Sequence, residues 1–262
     1  SPLVIKSIMT LSSDMIAYDL EVTEFFCYDH MDRLKDIEQI IKEGGVTKKG
    51  EVLLTNHYNE LGELKTKALK EGDAQVFNYQ YNIRGWLTKI NDVENMLPSE
   101  DFGMELQYDA AGFYNGNIGK MIWKSNGGAN EEAQEYSYTY DPLSRLKTAS
   151  YNSTGSVSGA FSVGLGYDEN GNIKNLYRYR KLHSFSTPKV IDNLTYNYNS
   201  GNQLSSVSDS GDGGAYPDPL DPTISKINEL GFRDRNKVGN DYVYDENGNM
   251  IQDLNKDISN IS

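Results

Sequence analysis

Cross-linking chemistry is almost missing from this chain: Cys27 is its single cysteine in 262 residues, so no internal disulfide can staple the fold. That usage suits an intracellular protein and an exported bacterial one alike. No run of about 18 apolar residues occurs, which excludes a hydropathic membrane-spanning helix. Positive charge is scarce, with 25 Lys and Arg against 38 Asp and Glu and a net charge of −13. Such a field repels a phosphate backbone, and no nucleic-acid partner is expected. Three histidines, no HExxH and no Cys/His ligand spacing give metal binding no support, and no cofactor is expected. The opening "SPLVIKSIMT" has no basic segment followed by an apolar core and cleavage site. It also lacks an initiating Met. With the closing "DISNIS", it reads as one end of a piece cut from a longer chain.

What the chain does have is tyrosine and glycine, 19 and 24 of them, among many Asn, Ser and Thr. This composition favours strands and turns over helices. The tyrosines recur in a heptapeptide: "YDHMDRL" at Tyr28, "YNELGEL" at Tyr58, "YNIRGWL" at Tyr81, "YDPLSRL" at Tyr140, "YDENGNI" at Tyr167 and "YDENGNM" at Tyr244. Each runs Tyr, then Asp or Asn, two free positions, a Gly, Ser or Asp, one further residue, and Leu, Ile or Met at +6. "YNSGNQL" at Tyr198 keeps the ends with Gly201 one place early, and "YNGNI" at Tyr114 is a shortened form. Spacings are 23 to 33 residues, with 46 before the last unit. Self-similarity at such periods marks an array whose units need neighbours to bury their faces.

The local physics of one unit is legible. "FNYQYN", "MELQYD", "YSYTYD" and "LTYNYN" alternate large and polar residues, the period of a half-buried strand. Asp-Pro, Asn-Gly and Asp-Glu-Asn-Gly then reverse the chain, the Asx side chain bonding its own backbone and Gly supplying positive φ. Each unit is therefore a β-hairpin, and the fold class is all-β. The whole of residues 1–262 reads as one region, an extended antiparallel sheet of successive hairpins, with loops near 124–134 and 208–222. "MDRLKDIEQIIKEGG", Met31 to Gly45, carries apolar residues at helical spacing; its register with the other units makes it a strand. A short helix is expected over residues 221–230, with Pro222 near its start and Gly231 past its end.

These "YDENGN" and "YDPLSRL" units resemble the YD repeats of the bacterial RHS family, and "YNIRGWL", "DNLTYNY" and "YVYDENGNM" are similar to RHS repeats of Bacteroidetes. The resemblance covers residues from about 15 to the end. It implies a β-ribbon that curls or spirals as part of a hollow shell, on an extracellular or cell-surface protein. In the family that shell encloses a C-terminal passenger, commonly a toxin; a passenger from the parent chain is the partner implied here, and it is absent from this sequence. About 15 strands at roughly 4.8 Å make a ribbon about 70 Å wide, too wide to stay a flat open sheet. The family's core signature near the shell's end is absent, so self-cleavage is carried over to no residue.

Candidate chemistry is thin. Ser144–Lys147 and Ser186–Lys189 match Ser-x-x-Lys, but the first pair lies on a turn and strand and Pro188 interrupts the second. "DENGN" at Asp168 and at Asp245 resembles the start of a calcium loop, yet its twelfth position holds Tyr179 or Lys256 instead of Glu; an Asx turn explains the same residues. His30, His57 and His183 sit in turns or loops, and a His183, Asp192, Ser184 triad has nothing in the spacing to recommend it. Gly164, Gly166 and Gly171 miss the dinucleotide spacing. No enzyme activity is expected. The alternative to a structural role is a carbohydrate-binding surface of the bacterial envelope, with Trp86 and Trp123 as sugar-stacking anchors against an envelope glycan. Unpaired strand edges left at both ends imply self-association or cover by loops.

Overall fold

The computed structural model describes residues 4–11, 20–69, 75–110, 112, 114–126, 132–153, 159–181, 187–211, 216–217, 225–226 and 231–261. Within them the chain is all-β. The strands are β1 (Val4–Leu11), β2 (Leu20–Tyr28), β3 (Leu34–Glu43), β4 (Val46–Tyr58), β5 (Leu64–Leu69), β6 (Gln75–Tyr81), β7 (Leu87–Ile90) and β8 (Phe102–Gln107). They continue with β9 (Lys120–Ser125), β10 (Gln134–Tyr140), β11 (Leu146–Ser153), β12 (Val163–Tyr167), β13 (Ile173–Arg180), β14 (Lys189–Tyr198) and β15 (Leu204–Asp209). These fifteen are hydrogen-bonded in sequence order, each to its chain neighbours. Two two-stranded sheets follow, β16 (Tyr216–Pro217) with β17 (Ser225–Lys226), and β18 (Tyr242–Tyr244) with β19 (Met250–Asp253).

The chain comprises two compact units, Ser1–Leu106 with Ile122–Glu131, and Gln107–Met121 with Glu132–Ser262. In the first, β3 confirms the strand over the helically spaced Met31–Gly45 segment. It pairs antiparallel with β2, Tyr28 opposite Leu34 and Leu20 opposite Glu43, so Ile37, Ile40 and Ile41 follow the sheet register. Gly44 and Gly45, both at positive φ, turn the chain directly into β4 instead of ending a helix. The turn between β7 and β8 is built on buried polar groups. Asn91, at φ 54°, accepts from the Asn78 amide at 2.8 Å and donates to the Phe102 carbonyl at 2.8 Å.

The second unit holds an aromatic cluster in which Tyr151 meets Tyr136 at 5.4 Å and Phe161 at 5.0 Å between ring centroids, both edge-on. Edge-on contacts at such distances add to the area they bury. Among the described residues the largest side chains exposed by less than 2% are two carboxylates, Asp192 and Asp241. A conventional globular core does not have that composition, because burying a charge needs dedicated partners.

Two expectations meet different outcomes at the C-terminal end. The helix expected over 221–230 lies mostly outside the described residues, and the two described there, Ser225 and Lys226, pair as a strand with Tyr216 and Pro217. The last repeat, at Tyr244, forms its hairpin as expected, but that hairpin stands as its own two-stranded sheet instead of adding to β15. The reason is local: Asp241 occupies the outer side of β15, its amide donating to the Ser205 carbonyl at 2.8 Å and its carboxylate accepting from the Val207 amide at 2.7 Å. A strand cannot occupy the same ladder positions.

Candidate functional site: a ladder of stitched turns

Seven heptapeptides fold to one turn. Tyrosine at position 0 pairs with the aliphatic residue at +6 across a bulge, as in Tyr140 with Leu146 and Tyr167 with Ile173. The amide at +1 donates to the carbonyl at +5, and the amide at +4 to the carbonyl at +1; for the Tyr140 unit these are Asp141 to Arg145 and Ser144 to Asp141, both 2.9 Å. The +4 residue has positive φ in every case, from 57° at Asp32 to 93° at Gly171. In the Tyr198 unit Asn202 adopts φ 59° at +4. The displaced Gly201 is therefore not the turn's pivot; Asn tolerates the left-handed region well enough to serve.

The Asx residue at +1 fastens the turn from inside. Its Oδ1 accepts the amides at +3 and +5, as Asp29 does from Met31 at 2.8 Å and Arg33 at 3.0 Å, and Asn59 from Leu61 at 3.0 Å and Glu63 at 2.9 Å. In six of the seven units the remaining side-chain atom at +1 meets the side chain at +5, and the two are complementary; the Tyr81 unit has Trp86 at +5 instead. Asp29 and Asp141 accept from Arg33 and Arg145, and Asp168 and Asp245 from Asn172 and Asn249. Where +1 is Asn the polarity reverses: Asn59 donates to Glu63 at 2.8 Å and Asn199 to Gln203 at 2.7 Å. The Arg33 guanidinium holds the Asp29 carboxyl down to about 2. Asp168 and Asp245 are lowered first by the amides of Asn172 and Asn249. At Asp141 desolvation pushes upward and is outweighed by the Arg145 amide and guanidinium.

Tyrosine's hydroxyl joins one unit to the one before it. Tyr58, Tyr81, Tyr167, Tyr198 and Tyr244 donate to the +6 carbonyls of the preceding repeats, those of Leu34, Leu64, Leu146, Ile173 and Leu204, at 2.8 to 3.0 Å. Tyr140 reaches the equivalent carbonyl of the shortened unit, Ile118, at 2.9 Å. Arginine at +5 adds a second tie: Arg33 lies 4.4 Å from the Tyr58 ring centroid and Arg145 4.6 Å from that of Tyr167. Phenylalanine would supply the ring but not the donor, which is why the repeats carry tyrosine at this place.

The other candidates fall apart in space. Trp86 sits at +5 of its turn with the Arg84 guanidinium 5.0 Å from its ring centroid, and Trp123 lies within β9, both half-buried. Neither lines a groove of this unit described below. Ser144 is a turn pivot and Lys147 an exposed strand residue. Ser184, His183 and Ser186 lie outside the described residues; Asp192, the remaining member of that triad, is an ion-pair partner of Arg178. Among the described residues no group of three or more His, Cys, Asp or Glu could hold a metal ion, and no helix is long and apolar enough to cross a membrane.

Two open grooves lie between consecutive turns. The larger, about 790 Å³, is lined by Tyr58, Tyr79, Tyr81, Lys65 and Glu60 among others. The smaller, about 270 Å³, lies between Tyr140 and Tyr167 with Lys147 beside them. Lys65 and Lys147 both stand at +7 of their repeats. Neither groove brings together a nucleophile and a base.

No family model matches the chain, and no curated protein does. Solved structures do. The crystal structure of TcdB2–TccC3 with Cdc42 matches at a TM-score of 0.54 and 15% identity, over 79% of this chain and 10% of that one. TcdB2–TccC3 without its hypervariable C-terminal region matches at 0.49 and 14%, over 80% and 11%. A porin-like protein from Bacteroides uniformis reaches 0.26 and 12%, over 76% and 62%. The chain thus spans about a tenth of the length of the first of these, and the likeness is one of fold, an RHS-like β-sheet.

Proposed function

We propose that this chain is a non-catalytic wall segment of a bacterial RHS-type cell-surface or secreted protein, whose β-shell encloses or presents a C-terminal passenger. The observation that carries the reading is the tyrosine stitch. A hydroxyl from each turn closes on the carbonyl of the turn before it, six times among the described residues. Within each compact unit the turns thereby become a stitched rim, the property a wall needs and a solitary binding module does not. The shared fold with the TcdB2–TccC3 structure supports the same reading.

The test is protection of the passenger. The parent chain, expressed with the residues that follow this segment, is digested with a non-specific protease beside the passenger expressed alone. The wall reading expects the enclosed passenger to survive until denaturant opens the shell. Equal digestion rates for the two would overturn it.

A glycan-binding surface is the second reading. The larger groove favours it by offering tyrosine rings beside Lys65 and Glu60, since rings stack on sugars and polar neighbours bond hydroxyls. Loss of glycan-array binding on Tyr79→Ala, with Trp86→Ala unchanged, would locate it there.

A further inference from the structure

The fifteenth strand ends the large sheet. Its sequence, "LSSVSD" (Leu204–Asp209), contains no Lys or Pro, and its pairing with β14 shifts register only at the turn. Lysine, proline and bulges are the devices that keep an edge strand from pairing with another chain. All fourteen neighbouring pairings of the large sheet follow sequence order, and by that rule the Tyr244 hairpin would come next. It does not; instead the segment that leads into it, residues 231–241, lies against the edge.

That segment contributes carboxylates where a strand would contribute carbonyls. Val207 donates its amide to Asp241 Oδ2 at 2.7 Å, and Asp209 donates to Asp234 Oδ2 at 3.2 Å. The Ser205 carbonyl accepts from the Asp241 amide at 2.8 Å. One step along, the Phe232 amide donates to Asp192 Oδ1 on β14 at 2.5 Å. Asp241 is 1% exposed, and its second oxygen accepts from Asn236 at 3.0 Å. Asn255 Oδ1 accepts the amides of Arg235 and Asn236 at 2.9 and 3.1 Å, fixing the loop that carries both aspartates. The Asp241 carbonyl accepts from Leu254 at 2.8 Å, which ties the loop to the final hairpin.

We propose that residues 231–258 are a latch that seals the β15 edge, and that release of the latch lets this edge pair with the β15 edge of a second copy of the chain. The identical partner is favoured because two copies of one edge are self-complementary about a two-fold axis, and antiparallel pairing is how this sheet already grows. A latched edge ends the sheet at a fixed strand, whereas an unlatched edge joins the sheets of two copies. The proposal is independent of what the shell encloses.

The test uses the full 262-residue chain, with amide hydrogen exchange and sedimentation velocity as readouts. Asp241→Ala is expected to speed exchange at Val207 by about tenfold or more and to make association depend on concentration. Adding Ser208→Lys, at an exposed position of the same strand, should abolish the association while exchange at Val207 stays fast, because an edge lysine blocks strand addition without restoring the Asp241 bond. Unchanged exchange at Val207, or association that Ser208→Lys leaves intact, overturns the latch. Asp234→Ala guards against a variant that fails to fold. It removes the Asp209 bond and the ion pair with Lys237, leaves the Asp241 bonds in place, and should speed exchange at Asp209 with the sheet retained; unchanged exchange there counts equally against the proposal.

Discussion

Replacing Tyr167, Tyr198 and Tyr244 by Phe tests the stitch at the level of energy. Each substitution keeps the ring on its strand and deletes one hydroxyl that donates at 2.9 to 3.0 Å to the carbonyl of Leu146, Ile173 or Leu204. A neutral hydrogen bond is worth about 0.5–1.5 kcal/mol net, and a carbonyl at the rim can recover water, which places each loss near 1 kcal/mol. Tyr167 and Tyr198 are two strands apart, about 9.6 Å, and the three hydroxyls share no acceptor, so the losses should nearly add to about 3 kcal/mol in the triple variant. Tyr138→Phe is the internal control: its hydroxyl meets only the Met121 sulfur at 3.8 Å, a weak acceptor, and its loss should fall below about 0.5 kcal/mol. Urea unfolding followed by far-ultraviolet circular dichroism measures all four, with the slope expected to stay constant because no apolar surface changes. Trp86 and Trp123 are the chain's two tryptophans and both belong to the first unit, so tryptophan fluorescence would watch the wrong half. A triple variant within about 1 kcal/mol of wild type, or a Tyr138→Phe loss as large as the others, would refute the stitch as an energetic device.

Further outcomes follow from the same geometry. Asp32→Gly should stabilise by about 0.5 kcal/mol, because φ of 57° penalises Asp by about 1–2 kcal/mol and glycine's extra chain entropy offsets part of the gain; Gly171→Ala, at φ 93°, should move the opposite way in the same thermal melts. Gly231→Ala should destabilise the C-terminal end by about 1–3 kcal/mol, since its Cβ would stand 2.6 Å from the Ile191 carbonyl and 2.7 Å from Asp192 Oδ1; local amide exchange reads it. Melting temperature against pH should fall at both extremes. Asp29, Asp168 and Asp245 are lowered in the fold, so their contribution is complete above the unfolded value of about 3.9 and is lost as pH drops through the folded one. Burial raises Tyr136, Tyr138, Tyr196 and Tyr242, so their contribution is complete below about 10 and is lost as pH climbs through the folded values.

What the sequence made readable was local. The heptapeptide announced its own reversal because Asx bonding and positive φ are properties of neighbouring residues, and the Tyr28 unit carried enough register to outweigh the helical spacing of Ile37, Ile40 and Ile41. In the Tyr198 unit the glycine stands one place early, and only the backbone shows that Asn202, at φ 59°, serves as the pivot. The acceptor of each tyrosine hydroxyl is a backbone carbonyl 17 to 40 residues back, and a carbonyl has no letter in the sequence. The latch was hidden for a related reason. Asp234 and Asp241 look like any surface aspartates of an acidic chain, and only the path of the backbone brings them to β15.

The residue types at +1 and +5 of the heptapeptide yield the sharpest experiment. In six of the seven units positions +1 and +5 pair Asp with Arg or Asn, or Asn with Glu or Gln, so that one side chain donates what the other accepts; the Tyr81 unit, with Asn82 and Trp86, is the exception. In the Tyr58 unit Asn59 donates to Glu63 at 2.8 Å. Glu63→Arg faces a donor with a donor and should cost about 1 kcal/mol, the bond plus an unmatched amide. Asn59→Asp alone sets two carboxylates together and should cost a similar amount. Combined, the two substitutions rebuild the arrangement of Asp29 and Arg33, in which the guanidinium donates to Asp29 Oδ2 at 2.8 Å, and should return stability to near wild type. The coupling energy of that cycle is then about 2 kcal/mol, well above the few tenths expected of unrelated surface sites. A coupling near zero would mean that the amides at +3 and +5 hold the turn unaided and that the paired side chains are only neighbours.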